Sequence, residues 1–581
     1  MGRQEHWRTD EVPGDETAGH ETAGHETAAQ ETAAHELAQD GPASRVSEAD
    51  PAESGDRPAR LGLRRLRGAA GLWLSIFSVS LGLFIVRFLV PTPVGQADNR
   101  DGPRLMCGRG LRFGPVIPHG YPRYFRYAYF EYAPSASCGH RGPYLTSQIV
   151  PLELGRLLTP VLGLHGSLNL IAVGLLMCAI AAAGIASLAV GLRIRPWAQL
   201  LVAAAVWLII ADAAFFDVFA GPFSEPAVLV GLLLVAAGLV YLGRGRRATM
   251  LGLLLAGSGG LLALLAKEQY VPLAVPICLT LVLASTNRGS GAGLRRFRTR
   301  QALAAAAVAA VLAAATGAYG VWEARSPYGH RTQPMRAVDT IFESIVNGHD
   351  NARADLHALG LPASWVRYEK TYYWKTYSVR HDRLYHRYEA KLTDSNLAHF
   401  LLTHPSRIID VGQQAAVDAQ QMRVTTLGDY PPSAGRPPGA YESRVIVVTW
   451  LMHRLPRRLG LLWLVPLWTA MAAAAIAALR RRRRPWHRDG AVLVLCMTGC
   501  AFAAFIPPAF FDGISTTRHM VGMNLATALA FTISVALAAS MIYRLLARAR
   551  RHSEPPGPGR PSLPDKTEDL APASSAQDTR A

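Results

Sequence analysis

The apolar residues of this chain gather into runs of about twenty, nearly free of charged side chains, and a run of that length predicts a membrane-crossing helix. The runs lie near 69–90, 166–190, 198–216, 223–243, 249–266, 270–286, 301–322, 458–479, 490–508 and 519–546. The fold class this predicts is an all-α polytopic integral membrane protein with about ten transmembrane helices in one domain over 69–546. Two connections are long, 91–165 and 323–457. The first run is not closed by a small-residue cleavage site, so it reads as an anchor rather than a signal peptide.

Basic residues supply the direction. Arg60, Arg64, Arg65 and Arg67 precede the first run, and Arg548, Arg550 and Arg551 follow the last. Every second connection is short and basic: Arg193 with Arg195, then Arg244, Arg246 and Arg247, then 288–300, then 480–489. These four hold 16 basic residues and one acidic residue, Asp489. Positive charge stays inside, so both termini are expected in the cytoplasm and both long connections outside. The +18 net charge, from 60 Lys plus Arg against 42 Asp plus Glu, therefore records membrane topology and does not call for a nucleic-acid partner.

The tails lack the means to fold. Residues 1–68 carry the repeat ETAGHETAGHETAAQETAAHE and few large apolar residues, and 547–581 are similarly polar, so both are expected to be disordered cytoplasmic segments. In the first long loop the aromatic stretch YPRYFRYAYFEY and the amphipathic stretch 148–163 fit either a membrane surface or packing within the loop. Of six Cys, only Cys107 and Cys138 fall in that loop, which makes them the disulfide candidate. The second long loop lacks strand-like alternation, so helices and irregular segments on the membrane are expected there.

Ionisable residues at the membrane are costly and tend to mark sites. Here they fall on one face: Asp98 and Asp101 in PVGQADNRDGPR; Asp212, Asp217 and Glu225 in IIADAAFFDVFAGPFSEPAVL; Lys267 and Glu268 in LLAKEQYVPL; Asp512, Arg518 and His519 in FFDGISTTRHMVGMN. Carboxylates suit a general base or a divalent cation, Mg or Mn, with Asp98 and Asp101 as its ligands if one binds. Arg, Lys and His suit a phosphate leaving group. No phosphate loop, GxGxxG, HExxH or paired CxxC is present.

The order of these strings, with VNGHDNARADLHALGLPASW, YEKTYYW and LLTHPSRIID in the second loop, resembles polytopic GT-C-type glycosyltransferases, and is most similar to the bacterial hexose transferases of surface-glycan biosynthesis. The resemblance covers roughly residues 70 to 546. It implies transfer of a hexose from a polyprenyl-phosphate sugar donor to a glycan, lipid or protein acceptor outside the membrane, with inversion. In that scheme Asp98, or else Asp101, is the base; Arg518, His519 and Lys267 hold the departing phosphate; and Glu225, Glu268 and Asp512 line the substrate site. DNRD is not a contiguous acidic pair, which leaves metal dependence open. Two other classes fit the same residues: a transporter or flippase for a lipid-linked or small solute, and a non-catalytic component of glycan assembly.

Overall fold

The computed structural model describes residues 57–113, 121–122, 124–135, 144–286, 295–347, 351–480, 485–513 and 516–553. The repeat tail, Cys138 and nearly all of the polar C-terminal tail lie outside the described residues. α1 (Arg57–Leu89) starts before the predicted boundary at 68. Arg and Leu are good helix formers, so helix continues past the stretch that hydropathy marks as membrane-length. For the same reason the last helix runs beyond 546, to Ser553.

Along the chain, α2 (Gly102–Cys107) opens the first long loop. Three short strands follow in antiparallel order, β1 (Leu111–Phe113), β2 (Glu131–Pro134) and β3 (Leu168–Asn169), with Arg112 opposite Ala133 and Tyr132 opposite Leu168. Phe113 stacks on Tyr132 across the first pair, which places the aromatic stretch inside the loop. α3 (Ile149–Val161) buries Leu152 and Gly155 against α4 and leaves Val150, Leu154, Leu157 and Val161 exposed as an apolar stripe. Cys107 is disulfide-bonded, while Cys178, Cys278, Cys496 and Cys500 are free.

The bundle proper comprises α4 (Leu170–Gly191), α5 (Pro196–Ala211) with α6 (Ala213–Phe216), α7 (Glu225–Leu239), α8 (Arg246–Leu264), α9 (Ala274–Thr286) and α10 (Arg295–Arg325). Further along come the loop helices α11 (Pro327–Asp339), α12 (Ala352–Ala358), α13 (Tyr385–Tyr388), α14 (Asp394–Thr403), α15 (Pro405–Gln420) and α16 (Val447–Arg454). The bundle then closes with α17 (Leu461–Arg480), α18 (Pro485–Phe511), the short α19 (Thr516–His519) and α20 (Val521–Ser553).

Among the described residues seven helices are long and apolar enough to cross a membrane, and the α5–α6 pair, bent by 64°, makes an eighth. The remaining two predicted spans are shorter apolar helices, Glu225–Leu239 and Glu268–Ala284. Every residue of α7 is buried, as expected of a helix that is apolar on all sides and surrounded by others. Asp489 pairs with Arg244 at 3.3 Å and Arg193 at 3.9 Å, so three of the short basic connections meet at one end of the bundle. The long connections emerge at the other, called here the loop face.

Glycines set the α7–α8 distance. Gly231 and Gly238 on α7 face Gly259 and Gly252 on α8, and a Cβ on Gly238 would stand 2.5 Å from Gly252 O. Small residues allow such close backbone approach. Gly238→Leu is expected to destabilise the bundle by about 1–3 kcal/mol through overpacking, read as a lowered thermal midpoint in detergent.

The two long loops are stitched together. Ala97 donates its N–H to Gly428 O at 2.8 Å, and Ala128 donates to Tyr430 O at 3.0 Å. The second loop also has a core of its own, with Phe342, Trp365, Phe400 and Leu401 buried together. Its aromatics close over short turns with no regular period, so the hydropathy pattern does not reveal this core.

Candidate functional site

The loop face brings four helix ends together. Between α1 and α2, Asp98 Oδ1 accepts backbone N–H groups of Arg100 and Gly102, each at 2.8 Å. Its Oδ2 is buried without a hydrogen-bond partner. A Cβ on Gly102 would come within 2.3 Å of that oxygen, so any larger residue here would displace the Asp98 carboxylate. Burial pushes the Asp98 carboxyl up to about 6, with the charge of Asp101 adding and the Gly102 N–H opposing.

Asp101 is tied instead to Arg518, Oδ2 to Nη2 at 2.7 Å. It sits deep among protein atoms yet keeps 44% of its side-chain surface open to a cleft. Burial works against its charge, but Arg518 and Lys267 outweigh burial and hold the carboxyl well below the usual range. Arg518 is buried, reaches Glu225 Oε1 at 3.5 Å from Nε, and lies over the Phe223 ring. Burial opposes the guanidinium charge, and Glu225 and Asp101 more than restore it. Glu225 opens α7, where a carboxylate also meets the positive end of the helix.

His519 joins the other two strings. Its Nε2 faces Lys267 Nζ at 2.7 Å and Arg518 Nη2 at 3.0 Å, both donors, so this nitrogen accepts. The proton then sits on Nδ1, 2.5 Å from Asp512 Oδ2. Burial acts against the Asp512 charge, but His519 and Lys267 keep the carboxyl below its ordinary range. Gln269 donates to His519 O at 3.1 Å and pins α19 against the Lys267 turn.

The sequence reading missed Arg104 and Arg336. Arg104 is clamped between the rings of Tyr144 and Tyr328, 3.7 and 3.2 Å from their centroids, and its Nε and Nη2 are buried without partners. Arg336 bridges Glu268 at 3.4 Å and Asp394 at 3.3 Å. Both Arg lie in long loops crowded with Arg, and only contact with a distant turn distinguishes them. Asp101, Arg104, Tyr144, Ser224, Glu225 and Lys267 line a narrow cleft with a cavity volume of about 20 Å³. Asp98 does not line it and is 3% exposed. Beside the cleft an apolar groove of about 630 Å³ runs along Gly317, Val321, Trp322 and Arg325 to Tyr328.

The structure separates two of the acidic residues from this group. Asp217 binds Arg87 at 3.2 Å and Arg423 at 3.2 Å, in a second buried network with Asp429, Glu442 and Arg444. Asp212 caps Ala214 and accepts from Val448 N at 2.7 Å and Thr449 Oγ1 at 2.5 Å, which fastens α16 to the bundle. Arg87 is therefore ion-paired within the protein.

A divalent cation does not fit the residues present. Among the described residues no three His, Cys, Asp or Glu side chains converge as ligands. Asp101 spends its charge on Arg518, and one Asp98 oxygen is filled by backbone donors. The arrangement is a set of fixed cations interleaved with carboxylates at the mouth of a helix bundle, suited to holding an anion next to a group that takes a proton. No match is found among curated proteins or among solved structures. The model of a protein family described as the YfdI N-terminal transmembrane domain matches residues 63–554, and the chain belongs to that family of multi-pass membrane proteins.

Proposed function

We propose that the protein is a GT-C-like glycosyltransferase that moves a hexose from a polyprenyl-phosphate sugar to a hydroxyl of a surface glycan, lipid or protein. The observation that carries this reading is the meeting of Arg518, Lys267 and Arg104 with Asp101 at one end of the bundle, with Asp98 behind it in the same turn. An apolar groove ends at Tyr328, the residue that also stacks on Arg104. An isoprenoid tail in the groove would bring its phosphate to the cations. With the basic short loops in the cytoplasm, this face is the extracytoplasmic one.

In the proposed reaction the acceptor oxygen attacks the anomeric carbon and the bond from that carbon to the phosphate oxygen breaks on the opposite side. The configuration inverts, and the polyprenyl phosphate leaves with the electron pair of the broken bond. Arg518 and Lys267 stabilise the charge that builds on the leaving oxygen. The acceptor proton passes to Asp98 Oδ2, the oxygen without a partner, which the acceptor reaches by displacing the Gly102 turn that covers it. Asp98 suits this role better than Asp101: a carboxyl at about 6 is the stronger base, whereas Arg518 holds Asp101 charged and weakly basic.

Full-length protein in nanodiscs, given polyprenyl-phosphate hexoses and cell-envelope glycans, tests this by release of polyprenyl phosphate. The rate is expected to fall as pH drops through about 6, where Asp98 takes up a proton. Asp98→Asn is expected to lower it by roughly 100-fold or more. Undiminished transfer by that variant would remove Asp98 from the mechanism, and no turnover of any hexose donor by the wild type would sink the reading.

A further inference from the structure

Six polar atoms without hydrogen-bond partners remain around the loop-face end of α10 once the ion pairs above are set aside. Glu323 is 6% exposed and neither carboxylate oxygen has a partner. Tyr319 lies one turn earlier on the same side of the helix, 3% exposed, and its hydroxyl is unpartnered as well. Glu268 Oε2 and Arg104 Nε and Nη2 complete the set. These groups share one neighbourhood: Ser326 Oγ donates to Glu323 O and accepts from Gly329 N, each at 2.9 Å, so the turn after Glu323 carries the Tyr328 ring onto Arg104 at 3.2 Å, and the charges of Glu268 and Arg104 act on both Glu323 and Tyr319.

Buried polar groups in proteins are nearly all hydrogen-bonded, so a cluster of exceptions calls for a ligand that completes them. The mixture selects its class. A second phosphate would be repelled by Glu323 and Glu268, and a bare metal ion by Arg104 and Arg336. A neutral polyol meets both sets: its hydroxyls donate to the carboxylates, its oxygens accept from the Arg104 fork, and the tyrosine hydroxyl does either. Arg104 is held for this by the Tyr144 and Tyr328 rings.

We infer that Glu323, Tyr319, Glu268 and Arg104 form a subsite for the transferred sugar, with Glu323 the residue that reads the orientation of one ring hydroxyl. This rests on the glycosyl-transfer reading and adds to it a place for the sugar and a determinant of which sugar is accepted. A site built to bind a hydroxyl rejects the epimer that misplaces it, because the carboxylate is then left unpaired.

The test measures binding by the full chain in nanodiscs of polyprenyl-phosphate glucose, galactose and mannose, and of polyprenyl phosphate without a sugar. Wild type is expected to prefer one hexose over its epimers by roughly tenfold or more. Glu323→Gln should narrow that preference to about threefold or less while the sugar-free lipid binds as before. Tyr319→Phe carries the same test if the first variant does not fold. An unchanged epimer preference in a folded variant overturns the inference, and so does an equal loss of sugar-free lipid. Binding of the sugar-free lipid with no preference among hexoses in the wild type defeats the subsite alone. Failure to bind any of the four lipids defeats the glycosyl-transfer reading with it.

Discussion

Replacing Arg518 with alanine is expected to lower sugar transfer by about 10²–10³-fold, the range seen when one preorganised donor to a developing charge is removed. Arg518 is the hinge of the site. It binds Asp101 at 2.7 Å, faces Glu225 at 3.5 Å and touches His519 Nε2 at 3.0 Å, while its Nε and Nη1 remain without hydrogen bonds. Nε is turned to Glu225, so Nη1 is the group that can meet a phosphate oxygen. Arg518→Lys should recover part of the rate, because it restores the charge but not the planar fork. Alanine has a second effect: Asp98 loses the Arg518 charge that helps to keep its carboxyl down, so the fall in rate toward acid pH should begin at a higher pH than in the wild type. Removing the cation also leaves Glu225 buried and uncompensated, so the thermal midpoint should drop. Arg518→Ala combined with Glu225→Gln separates the two consequences, since it relieves the buried charge without returning the donor. If that double variant melts like wild type and transfers at the wild-type rate, Arg518 has no part in the chemistry.

The helices were legible because α7 and its neighbours are apolar over whole turns, and a buried bundle helix needs no other signal. The ionisable residues at the helix ends were legible for the opposite reason: Asp101, Glu225, Lys267 and Arg518 lie at or just beyond the ends of apolar runs, where a charge is costly. Their grouping was only half visible. Asp217 and Glu225 stand in one short string, yet one pairs with Arg87 and the other with Arg518. The single-turn 3₁₀ helix over Asp217–Ala220 and the Gly221–Pro222 corner turn the chain between them, and no periodicity encodes such a corner. Arg336 was hidden because its partners, Glu268 and Asp394, are far away in sequence, and an Arg in a polar loop looks like any other. Glu323 was hidden by position. Hydropathy closes the span at 322, whereas α10 continues to Arg325 and turns Glu323 inward.

Asp217→Ala is expected to destabilise the protein by about 3–5 kcal/mol, the cost of breaking a buried ion pair from one side. Asp217 is 1% exposed and gives one oxygen to Arg87 and the other to Arg423, each at 3.2 Å. Arg423 retains Asp429, and Glu442 retains Arg444, whose Nε donates to both Glu442 oxygens at 2.9 Å. Arg87 is left with Ala211 O at 2.8 Å and a distant Glu442 oxygen at 3.8 Å. The network joins the end of α1 to the 423–444 segment, because Arg444 also donates to Arg87 O at 2.8 Å. Its failure should therefore loosen the second loop before the bundle melts, and limited proteolysis should cut within 420–450 in the variant at protease levels that spare the wild type. Replacing both partners, Arg87→Met with Asp217→Leu, removes the unpaired charge and should recover most of the lost stability, since buried pairs are commonly replaceable by apolar groups of similar volume. The Asp101–Arg518 cluster on the other side of the Gly221–Pro222 corner is untouched by that double change. It should transfer sugar at close to the wild-type rate if the Asp217 network serves only to dock the loop, and a folded double variant without transfer would assign the network to the active site instead.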